Sequence, residues 1–136
     1  MNEDKTRHEV RTQRAPEPVG PYSQAVVHQG LVYASGQIPL DPETGQKIEG
    51  DIEAQTEQVI ANLSAVLEAA GSSLSQVLRA TVYLTDLSLF PRVNALYAQH
   101  FTGIPAPARA TVQVAALPLG AEIEIDAIAV CDAKPR

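Results

Sequence analysis

From Glu122 to Val130 the chain reads EIEIDAIAV, in which Glu122, Glu124 and Asp126 alternate with Ile123, Ile125 and Ala127. A period of two puts the acids on one face of a strand and the apolar residues on the other, so this segment belongs to a sheet with one buried face. Arg109 to Ala115 (RATVQVA) alternates in the same way, and a loop with Pro118 and Gly120 separates the two. Val77 to Thr85 (VLRATVYLT) is rich in β-branched residues and predicts another strand, with Leu78, Ala80, Val82 and Leu84 on one face. Nearer the amino terminus, Ser23–His28 and Leu31–Gly36 flank Gln29-Gly30, the spacing of a two-residue β-hairpin.

Between these strands the period lengthens. Ile52, Val59, Ile60, Leu63, Val66, Leu67 and Ala70 recur at three- and four-residue intervals, which predicts an amphipathic helix. Asp51 suits its N-cap and Gly71 the left-handed position past its end. A second helix is expected from a cap at Ser88, with Pro91 in its first turn and Leu89, Val93, Leu96 and Tyr97 as its buried stripe, ending near Phe101. The segment PLDPETGQKIEG has too many breakers for regular structure and is a loop.

The order β-β-α-β-α-β-β predicts an α+β fold, with both helices packed on one face of a mixed sheet. The other face is assigned Thr81, Tyr83, Thr111, Gln113 and Asp126, which are semi-polar and suggest cover by another subunit. At 136 residues one domain is expected. Residues 1–15 read as a disordered, charged tail, 16–133 as the domain and 134–136 as its carboxyl-terminal end.

A formal net charge of −6, with no basic cluster, disfavours nucleic acid as a partner. No apolar run approaches the length of a membrane span, and the amino terminus lacks the features of a secretory signal. Cys131 is the only cysteine and reads as a small apolar residue at a strand end. His8, His28 and His100 show no metal-ligand spacing, so no metal is expected. Together these features predict a cytoplasmic protein.

Five places stand out as candidates for chemistry. Arg109 follows a proline-rich connector with no adjacent acid, which suits it to bidentate carboxylate recognition; its plain alternative is a solvated strand end. Glu122, Glu124 and Asp126 share one strand face, and if that face is covered one of these acids is a candidate base toward water; otherwise they line a wet face. Ser35 and Gly36 end a strand where a ligand can approach the backbone, and Tyr22 lies in another glycine-containing turn; either segment can also be only a turn. Asn94 lies beside the buried stripe of the second helix or is simply its polar flank.

In order along the chain, GPYSQ (20–24), YASGQIP (33–39), VNALY (93–97), PARATVQV (107–114) and EIEIDAIAV (122–130) resemble the RidA/YjgF family of reactive intermediate deaminases. The resemblance implies a chorismate-mutase-like α+β fold and homotrimers with active-site clefts between subunits. It gives Arg109 the role of gripping a substrate carboxylate and Glu124 that of the acid beside the catalytic water. Tyr22, Ser35, Gly36, Asn94 and Thr111 match positions lining the same cleft. The implied reaction is cofactor-free hydrolysis of 2-imino acids such as 2-iminobutanoate and 2-iminopropanoate to 2-oxo acids and ammonia. Thr111 stands where the best-known deaminase subgroup has cysteine; it supplies no thiolate but keeps a hydroxyl. Two alternatives remain at this point: a non-catalytic binder of small carboxylates, and an RNA-directed role as an endoribonuclease or translation inhibitor, as some relatives have been described.

Overall fold

Gln29 and Gly30 both have positive φ, 52° and 80°. This is the sign pattern of a type I′ turn, whose twist matches that of the strands it joins. The turn connects β2 (Ala25–His28) to β3 (Leu31–Gln37), pairing Ala25 with Ala34 and Val27 with Val32. The computed structural model describes residues 6–131. The first five residues of the expected tail, and the end expected at 134–136, lie outside the described residues.

The rest of the expected tail is not free chain. His8–Val10 form β1, antiparallel to β2, and Val10 and Ala15 are buried. The residues that follow β1 are held by a long-range clamp from Gln24, a buried side chain. Its Oε1 accepts from the Thr12 N–H at 2.7 Å, and its Nε2 donates to the carbonyls of Thr12, Ala15 and Pro16. A charged composition argues for disorder only where nothing elsewhere satisfies the backbone.

Helix α1 (Ile52–Ala69) begins and ends where its punctuation falls. The Asp51 carboxylate accepts from the Ala54 N–H at 2.9 Å, a cap that contributes about 1 kcal/mol. At the other end Ser72 N–H reaches Leu67 O and Gly71 N–H reaches Glu68 O, the paired bonds of a Schellman turn, with Gly71 at φ 82°. All seven apolar positions of the stripe are buried. Asn62 on the same helix donates to Leu40 O at 2.9 Å, which ties the loop after β3 to the helix.

Strand β4 (Val77–Leu84), helix α2 (Phe90–His100) and strand β5 (Ala108–Gln113) make a crossover that sets β5 parallel to β4 at the sheet edge. The cap before α2 differs from the expectation at Ser88. Asp86 accepts from the Ser88 N–H at 2.9 Å and starts a short 3₁₀ turn, Leu87–Leu89, which runs into α2. Strand β6 (Ile123–Val130) lies in the middle, giving the sheet order β1-β2-β3-β6-β4-β5. Both helices pack on one face, as expected, over Val32, Ala80, Val82, Leu84, Ile123, Ile125 and Ala127. Among the described residues no helix is long and apolar enough to cross a membrane.

Two facing assignments are corrected. A register shift between Val77 and Arg79 turns Leu78 outward, so Val77 rather than Leu78 joins the core. Parallel pairing sets Arg109 beside Ala80 and Thr111 beside Val82. Arg109, Thr111 and Gln113 therefore share the helix-bearing face, not the open one, whereas Thr81, Tyr83 and Asp126 do lie on the open face.

Candidate active site

The three acids of the last segment have different surroundings. Glu122 precedes β6 and is drawn to α1, where its Oε1 accepts from Gln55 Nε2 at 2.8 Å. Asp126 accepts from the Tyr83 hydroxyl at 2.9 Å. Glu124, between them, lines a cavity of about 400 Å³ on the other side of β6 from the helices. Removal from water pushes its pKa above the ordinary carboxylate value, and the nearby Asp126 charge adds to the shift.

Gly36 makes room for this carboxylate. A register shift between Ala34 and Gln37 bulges β3 beside β6. A β-carbon at Gly36 would overlap the Glu124 carboxylate and lie 2.7 Å from its Cδ. Ser35 and Tyr22 line the same cavity. Ser35 Oγ donates its proton to Ser23 O at 2.7 Å, so it presents lone pairs rather than a free donor to a ligand. The Tyr22 hydroxyl accepts from the Val19 N–H at 3.3 Å and holds the turn that forms one wall.

Arg109 lies in a second group, on β5 and α2. Its Nη1 donates to Asn94 Oδ1 at 2.7 Å. Its guanidinium carbon lies 5.1 Å from the ring centre of Phe90 and 4.7 Å from that of Tyr97. Both rings favour a cation over their faces, so the arginine is fixed in place while remaining exposed to a ligand. Burial raises the Tyr97 phenol pKa, partly offset by the Arg109 charge. The Tyr97 and Thr111 hydroxyls are both buried without a hydrogen-bond partner among the described residues.

The sequence-predicted residues thus fall into two groups. Tyr22, Ser35, Gly36 and Glu124 meet at the cavity; Arg109, Asn94 and Thr111 gather near the sheet edge. Within one chain the groups face opposite sides of the sheet, because Arg109 pairs with Ala80 and Glu124 with Tyr83, an odd number of residues along β4. Phe90 was not singled out from sequence as a site residue, and Tyr97 only as a buried one. Their sequence signal is the i, i+4, i+7 spacing of Phe90, Asn94 and Tyr97, which puts the two rings and the amide on one helix face. Among the described residues no three His, Cys, Asp or Glu side chains are grouped as metal ligands would be.

The family model described as endoribonuclease L-PSP matches residues 12–131. Protein DfrA of Myxococcus xanthus is 56% identical over 126 residues, 91% of this chain and 95% of that one. Reactive Intermediate Deaminase A, chloroplastic, of Arabidopsis thaliana is 49% identical over 120 residues, 88% of this chain and 64% of the plant protein. The crystal structure of E. coli TdcF with bound serine superposes with a TM-score of 0.85 at 40% identity, covering 92% of this chain and 99% of that one. A match that spans the domain, in sequence and in backbone, means that the chain belongs to the RidA/YjgF family, the family the endoribonuclease L-PSP model describes.

Proposed function

We propose that this protein hydrolyses small reactive 2-imino acids to 2-oxo acids and ammonia, without a cofactor, in clefts that join Glu124 of one copy to Arg109 of another. The observation that carries this reading is Glu124 itself: a carboxyl with a raised pKa, seated against Gly36 in an accessible cavity. A carboxylate whose pKa is raised is a stronger base, which is what activation of water requires. Arg109, held by Asn94 and two rings yet exposed, supplies a carboxylate clamp. The relative named a reactive intermediate deaminase, and the TdcF structure with serine, a small carboxylate, bound, both support this substrate class.

The split between half-sites supports an oligomer. The open sheet face exposes Tyr33, Val112 and Val130, apolar residues that a second copy would cover. A closed homotrimer, in which each subunit offers its cavity to one neighbour and its Arg109 to the other, unites the halves three times.

In such a cleft the substrate is a protonated imine, already electrophilic at C2. Arg109 fixes its carboxylate by two parallel N–H···O bonds. Glu124 takes a proton from water as the water oxygen adds to C2, giving a tetrahedral carbinolamine. The proton then passes from Glu124 to the amine nitrogen, and the C–N bond breaks. Ammonia leaves, and loss of the hydroxyl proton yields the 2-oxo acid. Holding two reactants in contact and positioning one base are sufficient help for so reactive a substrate.

The test is ammonia release from imines generated in situ. Arg109→Ala is expected to abolish acceleration with the fold retained. Binding of 2-oxobutanoate without any acceleration by the wild type would select the carboxylate-binder reading instead.

A further inference from the structure

Leu119 is held in the left-handed region, φ 58° and ψ 25°, immediately before Gly120 at φ 73°. A β-carbon crowds the following carbonyl there, so a residue of this bulk avoids that region unless something requires it. Core packing does not require it, because Leu119 is 61% exposed. Strain without a packing reason points to the ligand side of the molecule. Leu119 lines the cavity that contains Glu124, as does Val19, which is 72% exposed.

Glu124, Ser35 and Gly36 line the cavity from strands β3 and β6, and Glu17, Tyr22 and Gln24 line it from the segment before β2. The cavity's apolar groups, Val19, Leu40 and Leu119, come from loops.

We infer that Leu119 is a specificity-determining residue: with Val19 and Leu40 it receives the side chain of the imino acid and selects bulky, uncharged, apolar ones. This rests on the deaminase reading above and adds to it which imino acids are preferred. The reacting carbon lies by Glu124, and the side chain extends toward the apolar loops.

The experiment compares imines generated in situ from leucine and from alanine by an amino-acid oxidase, and reads the ratio of their kcat/KM values. Wild type is expected to favour the leucine-derived imine. Leu119→Gly removes the side chain and is free of strain at a left-handed position, so its fold is not at risk. It is expected to lower the ratio about tenfold, in the range by which hydrophobic pockets discriminate. Val19→Ala is expected to lower it in the same direction by less. Acceleration of both imines with an unchanged ratio in Leu119→Gly would overturn the role of Leu119 alone. Proportionate loss toward both imines would overturn it as well, by showing a merely structural residue. Failure of the wild type to accelerate any imine would overturn the deaminase reading, and this inference with it.

Discussion

Asn94 Oδ1 accepts a 2.7 Å hydrogen bond from Arg109 Nη1, and one helical turn on either side of Asn94 the rings of Phe90 and Tyr97 lie within 5.1 Å of the same guanidinium. The three α2 side chains aim one β5 arginine. A charge-assisted bond of this kind contributes about 1.5–3 kcal/mol, less where water competes. Asn94→Ala is expected to raise KM about tenfold while kcat changes little, since the carboxylate grip is lost but the base is untouched. Steady-state kinetics separate the two parameters; a fall confined to kcat would contradict the positioning role.

Gly36→Ala places a methyl group where the Glu124 carboxylate sits. The far end of Glu124 is flexible and can swing aside, so the fold is expected to survive with only a small loss in melting temperature. The displaced base is expected to lower kcat at least ~100-fold, the usual effect of misplacing a reacting group by an ångström or more. Circular dichroism beside the imine assay checks both, and retention of full kcat would contradict the placement of Glu124.

Glu124 also links activity and stability to pH. Its carboxyl is raised on folding above an ordinary value of 4.5. Folded protein therefore holds that proton more tightly than unfolded chain. The group adds stability below its unfolded pKa, and that contribution is lost as pH rises through the folded value. Glu124→Gln is expected to melt higher than wild type at neutral pH, with the gap closing below about pH 4. The same change is expected to lower kcat by ~10²–10³-fold. Thermal scans across pH test the first statement, and a variant less stable than wild type at pH 7 would contradict it.

What could be read along the sequence was local. Asp51, Gly71 and the seven-residue apolar stripe specify α1 through contacts a few residues apart, and Gln29-Gly30 specifies its hairpin in the same way. The order of the amino-terminal segment was hidden because what holds it is long-range: β1 pairs with β2, and the buried Gln24 amide ties down residues 12–16. The face of Arg109 was hidden for a related reason. Alternation within β5 says which residues share a face but not which face is buried, and only pairing with β4 decides that. The candidate residues come from ordered motifs; their division between the two faces of the sheet depends on register, which alternation within one strand does not give.

The most direct measurement is complementation between two inactive variants. Arg109→Ala keeps an intact Glu124 and Glu124→Gln keeps an intact Arg109, so neither assembles a complete cleft alone. If each cleft takes its halves from different copies, co-expression at equal levels restores activity to about a quarter of wild type, the share of intersubunit clefts that then pair two intact halves in a closed ring. No recovery in mixed oligomers of confirmed composition would contradict a shared cleft, and full activity of either variant alone would contradict the assignment of that residue.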